Sequence, residues 1–201
     1  MKKNPFQNYF QDYTNYVAEK LNATIVTLYD GKEIGQDAGI AEWVHQSKAI
    51  RDEKDGILWF VGNGASATIS EHMALDAMKA GRFKTGSCSE TSYLTAICND
   101  VSSEDLFSFK LDRHFTANDM LITTSSSGNS PNVVNAIETC RKKNGYIVTL
   151  SAMKPDNKSR KLGDLNFYVP AETYGTAEVC HGDLMHCWLD AFLDEYEGGR
   201  R

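Results

Sequence analysis

An imidazole and a carboxylate stand four residues apart at His72 and Asp76, just downstream of a glycine-rich run at residues 62–66. From Ala67 onward the sequence follows a helical pattern, and side chains four apart lie on the same face of a helix. The glycines allow a sharp turn that brings backbone N–H groups close to a ligand. Unpaired N–H groups in the first turn of a helix attract anions. The stretch therefore combines a candidate phosphate cradle with two side chains suited to acid–base or metal chemistry.

A second polar loop, residues 125–130, has the sequence SSSGNS and stands directly before Pro131. Proline fits the first turn of a helix without loss of a hydrogen bond, so a helix is expected to begin there. Serine and asparagine are favoured N-cap residues, and the loop could simply cap this helix. One cap residue would be sufficient, however, whereas this loop has five polar side chains in six positions. The composition favours binding of a phosphate or sugar phosphate over simple capping.

Short apolar segments alternate with helical ones from residue 57 onward, a pattern typical of an α/β fold with a parallel sheet between helices. Five strands are expected, at residues 57–61, 83–88, 119–124, 146–150 and 167–169. A long final helix is expected over residues 176–196.

Two amphipathic helices are expected ahead of the sheet, over residues 5–22 and 38–52, because their apolar residues recur every three or four positions. We expect residues 1–54 to form N-terminal helices for packing and oligomerisation, and residues 55–201 to form the α/β domain. The large aromatic residues on these helices would pack either on the domain or on another subunit.

The composition restricts the classes of partner. The chain has 201 residues, of which 41% are hydrophobic and 24% charged, with a net charge of −6. These values are typical of one globular domain with a full core, and Lys and Arg form no dense stripe for direct nucleic-acid binding. No apolar run has the length of a membrane span, and the first residues lack the features of a signal peptide. We therefore expect a cytoplasmic location and no membrane partner.

The five cysteines lack the CxxC spacing, and we expect them to be small buried hydrophobic residues rather than a disulfide framework. A dinucleotide cofactor is also disfavoured. The loop has Gly62 and Gly64 but no third glycine, and no isolated acid ends a clear second strand about twenty residues further on.

Four features together resemble the sugar isomerase (SIS) domain and, within it, the phosphoheptose isomerases: GNGAS, the pair Asn99-Asp100, SSSGNSP, and two histidines on the C-terminal helix. The resemblance covers about residues 57–196. It implies the SIS fold, a flavodoxin-like nucleotide-binding-type sandwich. It also implies substrate binding by the residues that match the family's motifs: Asn63, Gly64, Ser66, Asn99, Asp100, Ser125, Ser126, Ser127, Ser130 and Glu178.

The resemblance further implies a zinc ion held by His72, Asp76, Glu178 and His186. The family has glutamate where this chain has Asp76 and glutamine where it has Glu178. All four side chains present are sound zinc ligands, but aspartate reaches about 1.3 Å less than glutamate. Glu178 and His186 are separated by roughly 12 Å along an ideal helix. Both can therefore meet one ion only if Glu178 precedes the helix or if the ligands come from different subunits.

The activity that the resemblance implies is the interconversion of a ketose phosphate and an aldose phosphate through an enediol. Such a reaction needs a base, a proton donor and stabilisation of an oxyanion. We expect Asp76 or Glu178 to be the base, His186 the acid/base partner and zinc the Lewis acid. If the ion takes both carboxylates, Asp100 is the reserve base. The expected reaction converts sedoheptulose 7-phosphate into D-glycero-D-manno-heptose 7-phosphate, at sites between the subunits of a homotetramer.

An alternative of a different class is a non-catalytic SIS protein that acts as an adaptor or senses a sugar phosphate. Loss of the family's glutamate at Asp76 favours this alternative, whereas retention of His72 and His186 opposes it. The remaining histidines have less specific expectations. His181 is expected to be structural or to support the site, and His45 and His114 are expected on the surface.

Overall fold

The structure, a computed structural model, describes residues 6–199. Its centre is a seven-stranded sheet with the strand order β2-β1-β7-β6-β5-β3-β4. The strands are β1 (Ile25–Leu28), β2 (Glu33–Ile34), β3 (Ile57–Gly62), β4 (Lys84–Ser87), β5 (Met120–Ser125), β6 (Tyr146–Ala152) and β7 (Leu165–Val169). The helices are α1 (Tyr9–Asn22), α2 (Gln36–Asp52), α3 (Ala65–Lys79), α4 (Thr91–Asp100), α5 (Ser108–His114), α6 (Pro131–Lys142) and α7 (Tyr174–Tyr196).

The five strands predicted from the sequence are all present and pair in parallel, from β7 through β6, β5 and β3 to β4. The expected total of five was nevertheless wrong, because β1 pairs antiparallel with β7 and β2 with β1. These two strands are four and two residues long. Segments so short have no readable periodicity, and β1 is stabilised mainly by pairing with a distant partner, as between Val26 and Phe167.

The core has two layers, one on each face of the sheet, because side chains alternate between the faces along each strand. Phe60 faces the layer formed with α2, α3 and α7, and Trp59 faces the layer formed with α4, α5 and α6. In the first layer Trp43 of α2 stacks on Trp188 of α7, with ring centroids 4.8 Å apart. These contacts fix α7, the helix that carries Glu178, His181 and His186, on the sheet.

The N-terminal segment contributes both helices and strands. Helix α1 packs against α7, and strand β1 joins the same sheet as the strands of residues 55–201. The proposed division at residue 55 stays a prediction, and the predicted helix over residues 5–22 begins at Tyr9 within the described residues. No helix among residues 6–199 combines the length and apolar character required to cross a membrane.

The order in which the parallel strands lie in the sheet, compared with their order along the chain, predicts where a ligand would bind. Counted along the chain, the parallel strands β3, β4, β5, β6 and β7 stand in the spatial order 2-1-3-4-5, which is the flavodoxin-like order. In this arrangement the chain reverses its direction of travel between β3 and β5. Ligands of such sheets bind outside the carboxyl ends of the two strands at the reversal point.

Candidate functional site

The two polar loops predicted from the sequence meet at this reversal point. A cavity outside the carboxyl ends of β3 and β5 is lined by Asn63, Ser66, Thr124, Ser125, Ser126, Ser127, Ser130, Tyr174 and Glu178. Seven of the ten predicted substrate-binding residues are in this set. Gly64 lies beside it, in the wall of an adjoining crevice that also includes Asn63. We refer to the first cavity as the serine cavity.

The two glycines after β3 are each required for a different structural reason. A Cβ atom at Gly62 would lie 2.7 Å from the backbone oxygen of Ser66, so only glycine lets the loop close onto α3. Gly64, directly before α3, has φ +58°, a conformation that side chains disfavour. The tight turn points the start of α3 toward the serine cavity, where an anion would meet the positive end of the helix dipole.

The serines after β5 do not act as simple helix caps. Ser130 occupies the N-cap position of α6, but its hydroxyl forms no cap hydrogen bond. Ser126 is buried, and its hydroxyl has no hydrogen-bond partner among the described residues. Buried hydroxyls without partners are costly, and they are expected where a ligand supplies the missing bond. The loop therefore presents hydroxyl groups to the serine cavity.

The polar residue of this loop that the resemblance did not assign, Asn129, has a structural role. Its side chain donates to the carbonyl oxygen of Ser127 at 3.0 Å and accepts from the backbone N–H of Lys158 at 3.1 Å. The neighbouring Gly128 has φ +61°, and a Cβ atom there would lie 2.0 Å from Oδ1 of Asn157. The segment after β6 thus contacts the serine loop at Gly128 and Asn129 and holds it in place.

Asn132 is a site residue that sequence reasoning missed. Its side-chain amide pairs reciprocally with that of Asn63, with N–O distances of 2.9 and 3.0 Å. The pair ties the loop after β3 to the first turn of α6. An asparagine directly after a proline-opened helix start was a weak signal, since only the tertiary structure identifies its partner.

The candidate acid–base residues form a second group, on the outer side of α3 and α7. His72 Nε2 lies 3.2 Å from an oxygen of Asp76, and the rings of His72 and His186 have centroids 5.5 Å apart. Asp76 and His186 also line a groove that runs between the two helices. His72 and His186 are exposed and Asp76 is half-buried. The spacing of four between His72 and Asp76 produced the expected juxtaposition.

Glu178 stands apart from this group. Helix α7 begins at Tyr174 and continues without interruption past His186, so Glu178 does not precede the helix. Eight helical residues correspond to roughly 12 Å of rise. Among residues 6–199, no set of three or more His, Cys, Asp or Glu side chains is arranged to hold one metal ion. The four predicted zinc ligands therefore do not meet within the described part of one chain. Of the two conditions under which they could bind one ion, only the second is left, in which the ligands come from different subunits.

Asn99 and Asp100 also lie away from the serine cavity. They are exposed at the end of α4, and the amide of Asn99 donates to the carboxylate of Asp100 at 2.7 Å. Neither residue lines the serine cavity of its own chain. A contribution of this pair to substrate binding stays a prediction.

The burial of the remaining histidines and of the cysteines can be compared with what the sequence predicted. His45 and His114 are exposed, as predicted. His181 is fully buried, and burial lowers its pKa to about 4, opposed only weakly by the adjacent Ser151 backbone. All five cysteines are free thiols. The expectation that all are buried was wrong for two of them, because Cys98 and Cys187 lie on the outer faces of α4 and α7.

Comparison with known proteins agrees with this architecture. Residues 36–152, more than half of the chain, match the family model of the SIS domain. The phosphoheptose isomerase of Helicobacter pylori (strain Shi470) is 33% identical over 147 residues, which are 69% of this chain and 74% of that protein. That of Campylobacter jejuni subsp. jejuni serotype O:6 is 32% identical over 151 residues, 71% of this chain and 79% of that protein. The chain belongs to the phosphoheptose isomerase family of SIS-domain proteins.

Solved structures show the same fold over nearly the whole chain. The phosphoheptose isomerase of Francisella tularensis superposes with a TM-score of 0.79 at 18% identity, covering 97% of this chain and 99% of that one. The phosphoheptose isomerase of Neisseria gonorrhoeae gives a TM-score of 0.75 at 22% identity, covering 94% and 99% of the two chains. At these identities the likeness concerns the fold.

Proposed function

We propose that this protein is an aldose–ketose isomerase that converts sedoheptulose 7-phosphate into D-glycero-D-manno-heptose 7-phosphate. Membership of the phosphoheptose isomerase family supports the enzyme class and a phosphosugar substrate. The observation that carries the proposal is the serine cavity at the reversal point of the sheet. There, Ser126 presents a buried hydroxyl that has no hydrogen-bond partner in the described part of the chain, and Ser130 has a hydroxyl that does not cap its helix.

The phosphate of the substrate would bind at the serine loop. Hydroxyl groups and the N-terminus of α6 can hold a dianion without a lysine, because the helix dipole and backbone N–H groups favour negative charge. Asn63 would contact the sugar, and its pairing with Asn132 fixes the orientation of its amide. A preoriented amide loses less entropy on binding than a mobile one.

The reaction itself moves a proton between C1 and C2 of the sugar. The base takes a proton from one carbon, and an acid delivers one to the carbonyl oxygen as the enediol forms. Asp76 and Glu178 are the candidate bases, and His186 is the candidate acid/base partner. Asp76 and His186 line one groove, whereas Glu178 lines the serine cavity. A single chain therefore divides the candidate groups between two places.

We propose that a second copy of the chain completes each site, within a homotetramer. Three observations support this: the separation of Glu178 from His186, the small volume of the serine cavity, and exposed aromatic residues along α1. The cavity volume is about 110 Å³. Ligand pockets usually measure about 300–1,000 Å³. The exposed aromatic residues of α1 are Tyr9, Phe10 and Tyr13.

Zinc is the proposed cofactor. His72 and Asp76 already stand side by side as nitrogen and oxygen donors, whereas no three such donors are arranged around one point within residues 6–199. His186 lies beside this pair on the same chain, and Glu178 would come from another subunit. Bound zinc would act as a Lewis acid toward the substrate carbonyl. Removal of metal with a chelator, followed by measurement of zinc content and tetramer stability, tests this part separately from activity.

The experiment that tests the activity is incubation of the protein with sedoheptulose 7-phosphate, with the product identified by NMR. We expect the heptose 7-phosphate to accumulate to equilibrium. Binding of the sugar phosphate without conversion would instead indicate a sugar-phosphate sensor or adaptor. Light scattering at micromolar concentration gives the assembly, and a monomer that retains full activity would contradict the shared site.

A further inference from the structure

Helix α7 directs three side chains toward the sheet, at positions 178, 181 and 185, which share a face of the helix. Glu178 lines the serine cavity. Met185 lies in the core, with its sulfur 3.9 Å from the hydroxyl of Thr124 at the end of β5. His181 lies between them, fully buried, against the backbone of Ser151 on β6. The imidazole is therefore directly behind the serine cavity.

Neither ring nitrogen of His181 makes a hydrogen bond of good geometry among the described residues, and the ring has only a weak interaction with the Ser151 backbone, which slightly opposes the lowering of its pKa. A neutral imidazole has one donor and one acceptor, and leaving a buried polar group unpaired destabilises the fold. Leucine fills a similar volume without that cost. A histidine at this position is thus unfavourable for the fold alone, unless its polarity has another use.

The hydroxyl of Ser126 is also buried and has no hydrogen-bond partner among the described residues. Ser151, beside the His181 ring, pairs in register with Ser125, and the carbonyl oxygen of Ser126 accepts from the N–H of Ala152 at 3.2 Å. His181 and Ser126 consequently flank the ends of two adjacent strands, which are spaced by about 4.8 Å. One belongs to the serine loop and the other to the helix beneath it.

We propose that His181 is a positioning residue of the sugar-phosphate site, and that it hydrogen-bonds the Ser126 hydroxyl when phosphate is bound. This bond would fix the serine loop in the form that accepts the phosphate. The inference rests on the proposed function. Because burial holds the pKa of His181 near 4, the ring stays neutral at physiological pH and keeps both a donor and an acceptor.

The test compares His181→Leu and His181→Gln with the wild-type tetramer. The control is Thr24→Val, which also removes a buried hydroxyl without a hydrogen-bond partner among the described residues. Thr24 precedes β1, which is separated from β5 by the strands β7 and β6. For each protein, urea unfolding gives stability, and KM and kcat are measured with sedoheptulose 7-phosphate. Titration with inorganic phosphate gives the affinity of the loop alone.

We expect His181→Leu to be at least as stable as wild type but to raise KM and weaken phosphate binding about tenfold, with little change in kcat. Gln, which also has a donor and an acceptor, should restore most of the affinity, and Thr24→Val should leave it unchanged. Equal phosphate affinity in wild type and His181→Leu would overturn the inference alone. Absence of sugar-phosphate binding by wild type would overturn the proposed function as well.

If His181→Leu does not fold, the pair His181→Ala and Ser126→Ala decides, because each change removes one partner of the proposed bond. Two residues that share one bond give non-additive effects on phosphate affinity, whereas independent residues give effects that add. Additive effects of this pair would overturn the inference.

Discussion

The side chains of Asn63 and Asn132 form a reciprocal amide pair across the reversal point of the sheet, with N–O distances of 2.9 and 3.0 Å. Asn63 follows β3, and Asn132 lies in the first turn of α6. Each amide uses a donor and an acceptor in the pair, and the oxygen of Asn132 also accepts from the backbone N–H of Val133 at 2.9 Å. The two halves of the proposed substrate site are thus joined before any substrate arrives.

This pairing gives the first prediction. We expect Asn132→Ala to raise KM for sedoheptulose 7-phosphate several-fold, because the released Asn63 must be ordered on binding. Asn63→Ala should have a larger effect, since it also removes the proposed contact with the sugar. The double variant should be little worse than Asn63→Ala, because both changes break the same pair. KM values for the four proteins check this, and additive losses would contradict it.

The second prediction separates ligand binding from helix capping. Ser130 makes no cap hydrogen bond, whereas Thr173 caps α7 by accepting from the N–H of Thr176 at 3.2 Å. We expect Ser130→Ala to weaken phosphate binding about tenfold with stability nearly unchanged. Thr173→Ala should cost about 1 kcal/mol of stability and leave phosphate binding nearly intact. Urea unfolding and phosphate titration of both variants give the comparison. Unchanged phosphate affinity in both Ser130→Ala and Ser127→Ala would show that the serine loop does not bind phosphate.

The third prediction concerns the residue at which the chain departs from its family. Asp76 already lies 3.2 Å from the ring of His72, so a side chain longer by a methylene would crowd the pair. We expect Asp76→Glu to lower kcat about tenfold or more, since misplacement by about 1 Å can cost about a hundredfold in rate. Glu178→Gln should also lower kcat, because it removes a charge that the site uses.

The control for this series is Asp37→Glu, an equivalent change at an exposed acid in the first turn of α2. Rates are measured for wild type, the two single variants and their double variant, with zinc content determined in parallel. A faster Asp76→Glu enzyme would mean that the aspartate is a remnant of a decayed site rather than an adaptation.

The fourth prediction concerns pH. The folded-state pKa of His181 is about 4, below the ordinary value of 6.5, so the unfolded chain binds this proton first as pH falls. Above pH 6.5 the histidine is neutral in both states and has no effect on how stability depends on pH. Between pH 6.5 and pH 4 the free energy of unfolding decreases as the pH falls, because only the unfolded chain binds the proton. At pH 5 the loss is about 2 kcal/mol. Urea unfolding of wild type and His181→Leu at pH 7.5 and 5.0 checks this. A difference in stability between the two proteins that does not change with pH would be inconsistent with a buried neutral histidine.

The sequence predicted the parallel strands because such strands are buried on both faces and appear as short apolar runs, as at Ile57–Gly62. The strands β1 and β2 were missed because they are too short for periodicity and gain their stability from pairing. Helix α4 was not assigned either, since its sequence TSYLTAICND mixes apolar and polar residues without a clear face. In each case the local sequence leaves the choice to tertiary contacts.

The candidate site, like the fold, could be predicted from the sequence only in part. Parallel strands carry their following loops to one edge, so the meeting of Asn63 and Ser66 with the serine loop follows from the order of elements. The separation of Glu178 from His186 follows from the rise of a helix. The partner of Asn63 does not follow from either rule, because it depends on how far α6 tilts toward β3. Likewise, the burial of His181 without a well-formed hydrogen bond among the described residues is visible only once the surrounding strands are in place.

The eight-residue spacing on α7 has a genetic consequence. If each catalytic centre takes Glu178 from one subunit and His186 from another, a Glu178→Gln allele and a His186→Ala allele are defective in different halves of the centre. In a cell that expresses both, some mixed tetramers contain a centre with both halves intact. Two inactive alleles would then complement each other, whereas two alleles altered in the same half would not. Growth of such paired strains would report the architecture of the site without purification of the protein.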